Sequence, residues 1–367
     1  MRRRHFEAFR PVCPHCAAQG RPGRALLLAQ VLAEADDTIT AGVLHCPEPA
    51  CQLEFPIIDG IPVIVADLRR LFSDRGVELL VRGDLDPVLE SLAGDAIGPD
   101  SWFDALRQTL STYGWDAFGD LDPDQPPAGR FDGPRPGAAR RCLARLLALA
   151  GEPQNVVRVL DLGCAAGRTS FDLAQNHPGA LVLGIDRSFG LLRLAQAAAR
   201  GTVSYPRREI GLVYHRRSFP VALDGSGHVD FWACDALALP FAPGTADLVA
   251  ALNILDCVPE PHRLLAGIAE AVRPGGSILL ATPYDWSTRA TPMESWIGGH
   301  SQRAAHGGSG EAFLHTLLQE CGHPQSVAGL RILGEVADWP WQTRVHDRST
   351  VQYRTHLLAL ARRENDG

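Results

Sequence analysis

The apolar positions change their rhythm several times along the chain. In FPIIDGIPVIV, residues 55–65, two β-branched runs flank Asp59-Gly60, the pattern of a tight hairpin. LRRLFSDRGVELLVRGDLDPVLESLAG and DSWFDALRQTLSTYGWDAF place apolar side chains at helical spacing, and GDLDPDQPPAGRFDGPRPG then abandons periodicity for Pro, Gly and Asp, as a linker or mobile loop does. From AARRCLARLLALA onward, short β-branched runs at 156–160, 181–185, 231–234, 246–250 and 277–281 alternate with helical patterns. Such alternation predicts an α/β fold, a parallel sheet with helices on both faces. The pattern divides the chain into three units: a small β module over 1–67, a helical segment with a linker or lid over 68–137, and the main α/β domain over 138–367.

Composition narrows the function. Hydrophobic residues at 46% and charged ones at 21% exclude disorder throughout. With 35 basic against 42 acidic residues the net charge is −7, the wrong sign for a surface that tracks a phosphate backbone, so a small-molecule substrate is expected over nucleic acid. No run approaches the roughly 18 apolar residues that cross a bilayer. The opening MRRRHFEAFRPVCPHC is basic with no apolar stretch behind it, unlike a secretory signal, and a cytoplasmic protein without a membrane partner is expected. No pattern encodes an oligomeric state. An odd count of nine cysteines favours reduced thiols and a metal site over a disulfide framework.

The strongest chemical signal is VVRVLDLGCAAGRTSFDLA. A strand ends at Asp161, a glycine turn spans residues 163–167, and a helix opens near Arg168. Glycine lets the backbone approach a ligand at the carboxyl edge of the sheet, beside the positive end of a helix. Downstream, Asp186 closes the second strand, where a carboxylate accepts from ribose hydroxyls; Asp235 closes the third, where it accepts from an adenine amino group while the Ala236 amide donates to the ring. A fourth strand exits through Asn253 and Asp256, and a helix, the turn RPGG and a fifth strand come after it.

In motif order and spacing, residues 156–283 resemble the class I S-adenosylmethionine-dependent methyltransferases, with their Rossmann-like sheet. The resemblance implies S-adenosylmethionine as cofactor. It puts Gly163, Cys164 and Gly167 at the methionine part with Asp161 nearby, Asp186 and the adjacent Arg187 at the ribose, Asp235 and Ala236 at the adenine, and Asn253 near the sulfonium. Ala165 departs from the dinucleotide-binding glycine pattern, which weakens a dehydrogenase reading. Methyl transfer asks mainly for alignment and exclusion of water, with a base only for a protonated nucleophile. Asp256, Asp285 and Glu294 are the candidates for that base.

Cys13-x-x-Cys16 and Cys46-x-x-x-x-Cys51 can supply four thiolates to a structural zinc, with His15 and His45 as neighbours that can substitute. Together with FPIIDGIPVIV they resemble the small zinc-ribbon proteins that bind and activate RNA- and protein-modifying methyltransferases, here fused in cis.

In PYDWSTRATPMESWIGG, after the fifth strand, Tyr284, Trp286 and Trp296 offer faces for stacking or cation-π contact with an acceptor. With GCAAGRTSFDLA, ALNILDCVPEP and the tail DWPWQTRVHDRSTVQYRTH, the segment resembles the methyltransferase family of ovothiol biosynthesis, which methylates the imidazole of 4-mercaptohistidine. The resemblance implies an imidazole or other amino-acid-derived acceptor in natural-product metabolism, bordered by Tyr284, Trp286, Trp296, Arg344 and His346. The zinc module, the helical unit and the insertion RGTVSYPRREIGLVYHRRSFPV, with Arg207, Arg208, His215, Arg216 and Arg217, depart from that family. STYGWDAFGD can close as a lid through Tyr113 or Trp115. Two alternatives stand beside this reading: an rRNA or tRNA base methyltransferase whose zinc ribbon binds RNA, and a non-catalytic scaffold of the same fold.

Overall fold

The computed structural model describes residues 1–21, 23–71, 87–125, 134–151, 155–319, 323–327 and 329–364. Residues 126–133 of the Pro/Gly/Asp-rich stretch, and 72–86 of the first helical pattern, lie outside them. Two short helices, α1 (Arg3–Phe9) and α2 (Pro14–Ala18), precede the antiparallel strands β1 (Leu27–Ala35), β2 (Thr38–His45), β3 (Glu54–Ile58) and β4 (Ile61–Ile64). Asp59 and Gly60, at φ +54° and +85°, make the β3–β4 turn, since two left-handed residues match the twist of a two-residue hairpin. β4, IPVI, is buried at every position. Such a strand has both faces covered, and it pairs in parallel with a strand of the main domain.

The helices α3 (Pro87–Ile97), α4 (Trp102–Phe118) and α5 (Ala138–Ala150) lead into β5 (Arg158–Leu162), α6 (Arg168–Asn176), β6 (Leu181–Asp186), α7 (Phe189–Ala199), the hairpin β7 (Thr202–Ile210) and β8 (Val213–Pro220), β9 (Val229–Cys234) and β10 (Ala246–Leu252). Then come α8 (Pro261–Ala271), β11 (Val272–Thr282), α9 (Gly310–Gln319) and the long antiparallel pair β12 (Leu330–His346) and β13 (Ser349–Arg362). One mixed sheet runs β1-β2-β3-β4-β9-β6-β5-β10-β11-β13-β12. All five predicted runs are strands, but RPGG is not a free turn: it is drawn into β11, where Gly275 at φ +75° takes up a register shift against β10.

The N-terminal region shares a core as well as a sheet with the main domain. Phe9 packs edge-on to Trp232 of β9 at 6.2 Å, and Leu44 and Phe55 belong to the same core as Leu160 and Leu183. The insertion β7–β8 is likewise tied down. Arg207 pairs with Asp347 at 2.6 Å, Arg216 with Glu90, and Arg217 with Asp124 at 3.0 Å and with Asp122. The Tyr214 hydroxyl donates to Asp104 at 2.8 Å and Ser111 accepts from the Arg208 amide, so the hairpin holds α4 in place. A β-carbon on Gly114 of α4 would stand 2.7 Å from the Tyr205 ring, which explains glycine at that helical position. Among the described residues no helix is long and apolar enough to cross a membrane.

Candidate active site

The carboxyl ends of β5, β6, β9 and β10 open into a cleft of about 980 Å³, whose far walls are α4 and the β12–β13 hairpin. At its floor the glycine turn is held by a carboxylate from the neighbouring strand. Asp186 accepts from the Ala165 amide at 3.0 Å and the Ser188 amide at 2.8 Å. Ala165 sits at φ +48°, a left-handed backbone that costs an alanine roughly 1–2 kcal/mol, and the Asp186 contact offsets that cost. Asp161 accepts from Thr169 Oγ1 at 2.7 Å and Ser170 Oγ at 2.6 Å, bracing the first turn of α6 against β5. Burial raises its carboxyl to about 6, with the two hydroxyls opposing.

Gly163, Cys164, Asp186, Arg187, Asp235, Ala236 and Asn253 all border the cleft. Asp235 accepts from the Leu237 amide at 2.9 Å and has the Arg187 guanidinium 3.9 Å away. Asn253 stands at φ +52° where β10 ends; its amide donates to Ala281 at 2.8 Å, and its side-chain Oδ1 is buried with no hydrogen-bond partner among the described residues. Gly167 does not border the cleft. A β-carbon there would stand 2.6 Å from the Phe231 ring and 2.8 Å from Ala195, so this glycine serves helix–sheet packing, which corrects the expected contact with a ligand.

The opposite end of the cleft differs from expectation. Asp256 and Asp285 are there, and the buried Asp256 accepts from the Asp285 amide at 2.7 Å. Burial holds the Asp256 carboxyl above the usual range, while the Asp285 side chain interacts with the Tyr353 phenol. Trp341, Thr343 and Tyr353 of the hairpin and the half-exposed Tyr113 of α4 complete this wall. Trp115 is buried away from the cleft, donating to Gln125 at 3.0 Å, so of the two lid candidates only Tyr113 faces it.

Glu294, Tyr284, Trp286, Trp296, Arg344 and His346 do not border the cleft. Glu294 is exposed on the turn Met293–Ser295. Trp286 and Trp296 stack on each other at 6.3 Å, with the Trp296 indole donating to the Thr291 carbonyl at 2.9 Å. Tyr284 hydrogen-bonds His356 at 2.7 Å. Arg344 is buried over Trp115 and donates to Asp347 at 2.6 Å, and His346 Nδ1 accepts from the Arg348 amide at 3.1 Å. The physical reason is strand alternation: Trp341 and Thr343 share one face of β12, and Arg344 belongs to the other.

Among the described residues, the acidic and basic side chains bordering the cleft are Asp116, Asp161, Asp186, Asp235, Asp256 and Asp285 against Arg187. Carboxyls of one sign in a concave, low-dielectric site concentrate cations.

In the N-terminal region the sulfurs of Cys13, Cys16, Cys46 and Cys51 lie within 4.8 Å of one another. Cys13–Cys51 and Cys16–Cys46 are each 3.8 Å apart, far beyond a disulfide and equal to the ~3.8 Å edge of a tetrahedron with ~2.3 Å zinc–sulfur bonds. His15 is turned away and bonds the Ala66 carbonyl at 3.1 Å.

Residues 160–280 match the family described as "Methyltransferase domain". Trans-aconitate 2-methyltransferase of Deinococcus radiodurans is 27% identical over 180 residues, 47% of this chain and 58% of that protein. Ubiquinone biosynthesis O-methyltransferase of Leptothrix cholodnii is 31% identical over 128 residues, 34% of this chain and 44% of that protein. The chain thus spans about half the length of these curated relatives. Among solved structures, the [4+2]-cyclase SpnF covers 71% of this chain and 97% of its own at 18% identity, with a TM-score of 0.39. The match to a methyltransferase domain thus falls on the centre of the chain, and the mixed sheet with strand order β9-β6-β5-β10-β11-β13-β12 is the Rossmann-like arrangement of class I.

Proposed function

We propose that the protein is an S-adenosylmethionine-dependent methyltransferase acting on a small acceptor, with a structural zinc on Cys13, Cys16, Cys46 and Cys51. The observation that carries this reading is the charge of the cleft, among the described residues six carboxyls against one guanidinium and an unpartnered Asn253 Oδ1 on its wall. A cationic ligand suits that setting, and a polyanion does not. The volume of about 980 Å³ stands at the top of the ~300–1,000 Å³ range of ligand pockets and admits a cofactor together with a second small molecule. S-adenosylmethionine supplies a methyl group already activated by its positive sulfur.

The residues fit that cofactor. Asp186, which ends β6 at the cleft, suits the ribose hydroxyls, Asp235 and the Ala236 amide suit the adenine edge, and Asn253 Oδ1 suits an ammonium donor. Asp161 braces the turn through Thr169 and Ser170, and Gly167 packs it against Phe231. At the acceptor end, Asp256 fixes the Asp285 backbone, and Asp285, open to the cleft and next to Tyr353, takes the proton from an acceptor that arrives protonated. An imidazole or other amino-acid-derived nitrogen is the narrower class we infer, because a planar polar acceptor can lie against the neighbouring aromatic side chains Trp341 and Tyr353 with its N–H at Asp285.

Calorimetry with S-adenosylhomocysteine tests the cofactor, with one equivalent expected to bind. An absence of binding by folded protein would sink the enzymatic reading and leave the scaffold alternative. Incubation with methyl-labelled S-adenosylmethionine and a panel of imidazoles and amino-acid amines tests the acceptor class. Salt-sensitive labelling of RNA instead would replace it.

A further inference from the structure

We propose a second divalent-metal site, of the zinc type, formed by Glu311 and His315 of α9, Glu335 of β12 and His356 of β13. One ligand atom from each of the four lies within 4.8 Å of the others. Glu311 and His315 are four apart on a helix and so share a face, and β12–β13 pairing brings Glu335 near His356. The Nε2 atoms of His315 and His356 each lie 2.8 Å from the same oxygen, Glu335 Oε1, and the two imidazoles stack at 6.0 Å. Two imidazole nitrogens and two carboxylates thus converge on one point. Tetrahedral zinc with ~2.0–2.2 Å bonds to nitrogen and oxygen needs donors ~3.3–3.6 Å apart, within side-chain adjustment of this arrangement.

A second observation points the same way. His356 is 2% exposed, and its other ring nitrogen, Nδ1, bonds the Tyr284 hydroxyl at 2.7 Å. A metal-bound histidine characteristically has its remote nitrogen held by such a partner, which fixes the ring's orientation. The Tyr284 ring reaches that place because α9 begins at Gly310, where a β-carbon would stand 2.7 Å from Tyr284 Cδ1. Among the ion pairs of the described residues, Glu335 is met by the two imidazoles and by no arginine, so its carboxylate and the two ring nitrogens face one another as a ligand set would. Mixed imidazole and carboxylate donors in a fourfold set suit Zn²⁺, with Co²⁺ as its spectroscopic substitute.

His356 and the cleft-lining Tyr353 are three residues apart on β13 and so face opposite sides of the strand. The site is therefore separate from the cleft and independent of the function proposed for it. It ties α9 and the segment carrying Tyr284 to the sheet, which gives Tyr284 a role the sequence alone did not suggest.

The test uses the full chain stripped of metal and titrated with Co²⁺. Two equivalents are expected: one with the sulfur-to-metal charge-transfer bands of a thiolate site, the other with only the weaker visible bands of nitrogen and oxygen ligands. His315→Ala and Glu335→Gln should abolish the second equivalent and retain the thiolate bands, which also report that the variant is folded. Tyr284→Phe should weaken the second equivalent about 10–100-fold. Binding of only the thiolate-bound equivalent by wild type, or two equivalents undiminished in the His315→Ala/Glu335→Gln double variant, would overturn the proposal. Should a variant fail to fold, the wild-type stoichiometry and bands decide alone.

Discussion

The two ends of the cleft are built differently. The β5–β6–β9 end is made of residues that close their own strands, each carboxylate anchored by amides or hydroxyls close to it in the chain or on the adjacent strand. The Asp285–Tyr353 end is assembled from four distant stretches: α4, the turn after β10, the start of the segment after β11 and the β12–β13 hairpin. A site made from strand ends is set by the sheet, whereas one made from a hairpin and a helix depends on how those elements lie across it. Variants at the two ends should therefore separate cofactor affinity from turnover.

The largest effect is expected at Asp285. Asp285 is the proposed base, and Asp285→Asn should lower kcat about 10²–10⁴-fold with S-adenosylhomocysteine affinity unchanged. A kcat within threefold of wild type, over the whole pH range, would move the base elsewhere or show that none is needed. Next comes Asp186→Ala, which removes both the proposed ribose acceptor and the anchor of the Ala165 amide. Hydrogen bonds to a charged group contribute about 1.5–3 kcal/mol each, so calorimetry should read a loss of roughly 100-fold or more in cofactor affinity. A change smaller than threefold would remove Asp186 from the cofactor site.

Asp161 offers a comparison within the same end of the cleft, since its carboxyl is buried and accepts from Thr169 and Ser170. Its folded pKa of about 6 lies above the unfolded value, so its contribution is fully present below about pH 4 and is lost as pH rises through 6. Two pH units correspond to about 3 kcal/mol. Asp161→Asn keeps an acceptor for Thr169 and Ser170 but cannot ionise. In the cofactor-free protein the stability difference, wild type minus variant, should fall by up to that amount between pH 4 and pH 7 in urea unfolding. A pH-independent difference would show that Asp161 does not titrate in this window.

This contrast also governs what could be read from the chain. The strand-end half of the cleft was legible because a glycine turn and carboxylates at strand ends are local signals with a fixed spacing. Gly167 and Asp161 mark the limit of such signals: they fix the positions, but whether these residues touch a ligand or brace Phe231, Thr169 and Ser170 is decided by packing. At the acceptor end Arg344 and His346 belong to the correct hairpin but lie off its cleft-facing side; Trp341, Thr343 and Tyr353 become recoverable from alternation once the register is known. The fully apolar IPVI carries a clue of its own, because a strand without polar alternation belongs inside a sheet, as β4 does beside β9. The Glu311, His315, Glu335, His356 cluster has no sequence signature at all, since its members come from a helix and two strands.

The smallest expected effect is the most discriminating. Trp286 and Trp296 are the aromatic pair that composition assigns to an acceptor, yet they stack on each other outside the cleft and secure residues 283–299 against the core. Trp286→Ala should leave kcat/KM within threefold while lowering the unfolding midpoint, because loss of a partly buried stacked indole removes roughly 1–3 kcal/mol of packing. Trp341→Ala, on the cleft face, should do the reverse and raise the acceptor KM with less effect on stability. The two outcomes are linked by geometry. An acceptor that touched Trp286 would have to lie beyond Asp285, outside the cavity that Tyr353 and Trp341 enclose, and the proton it gives up would then have no carboxylate at the cofactor's side. A KM raised tenfold by Trp286→Ala alone would therefore relocate the acceptor to the surface of that segment and remove Asp285 from the reaction together with it.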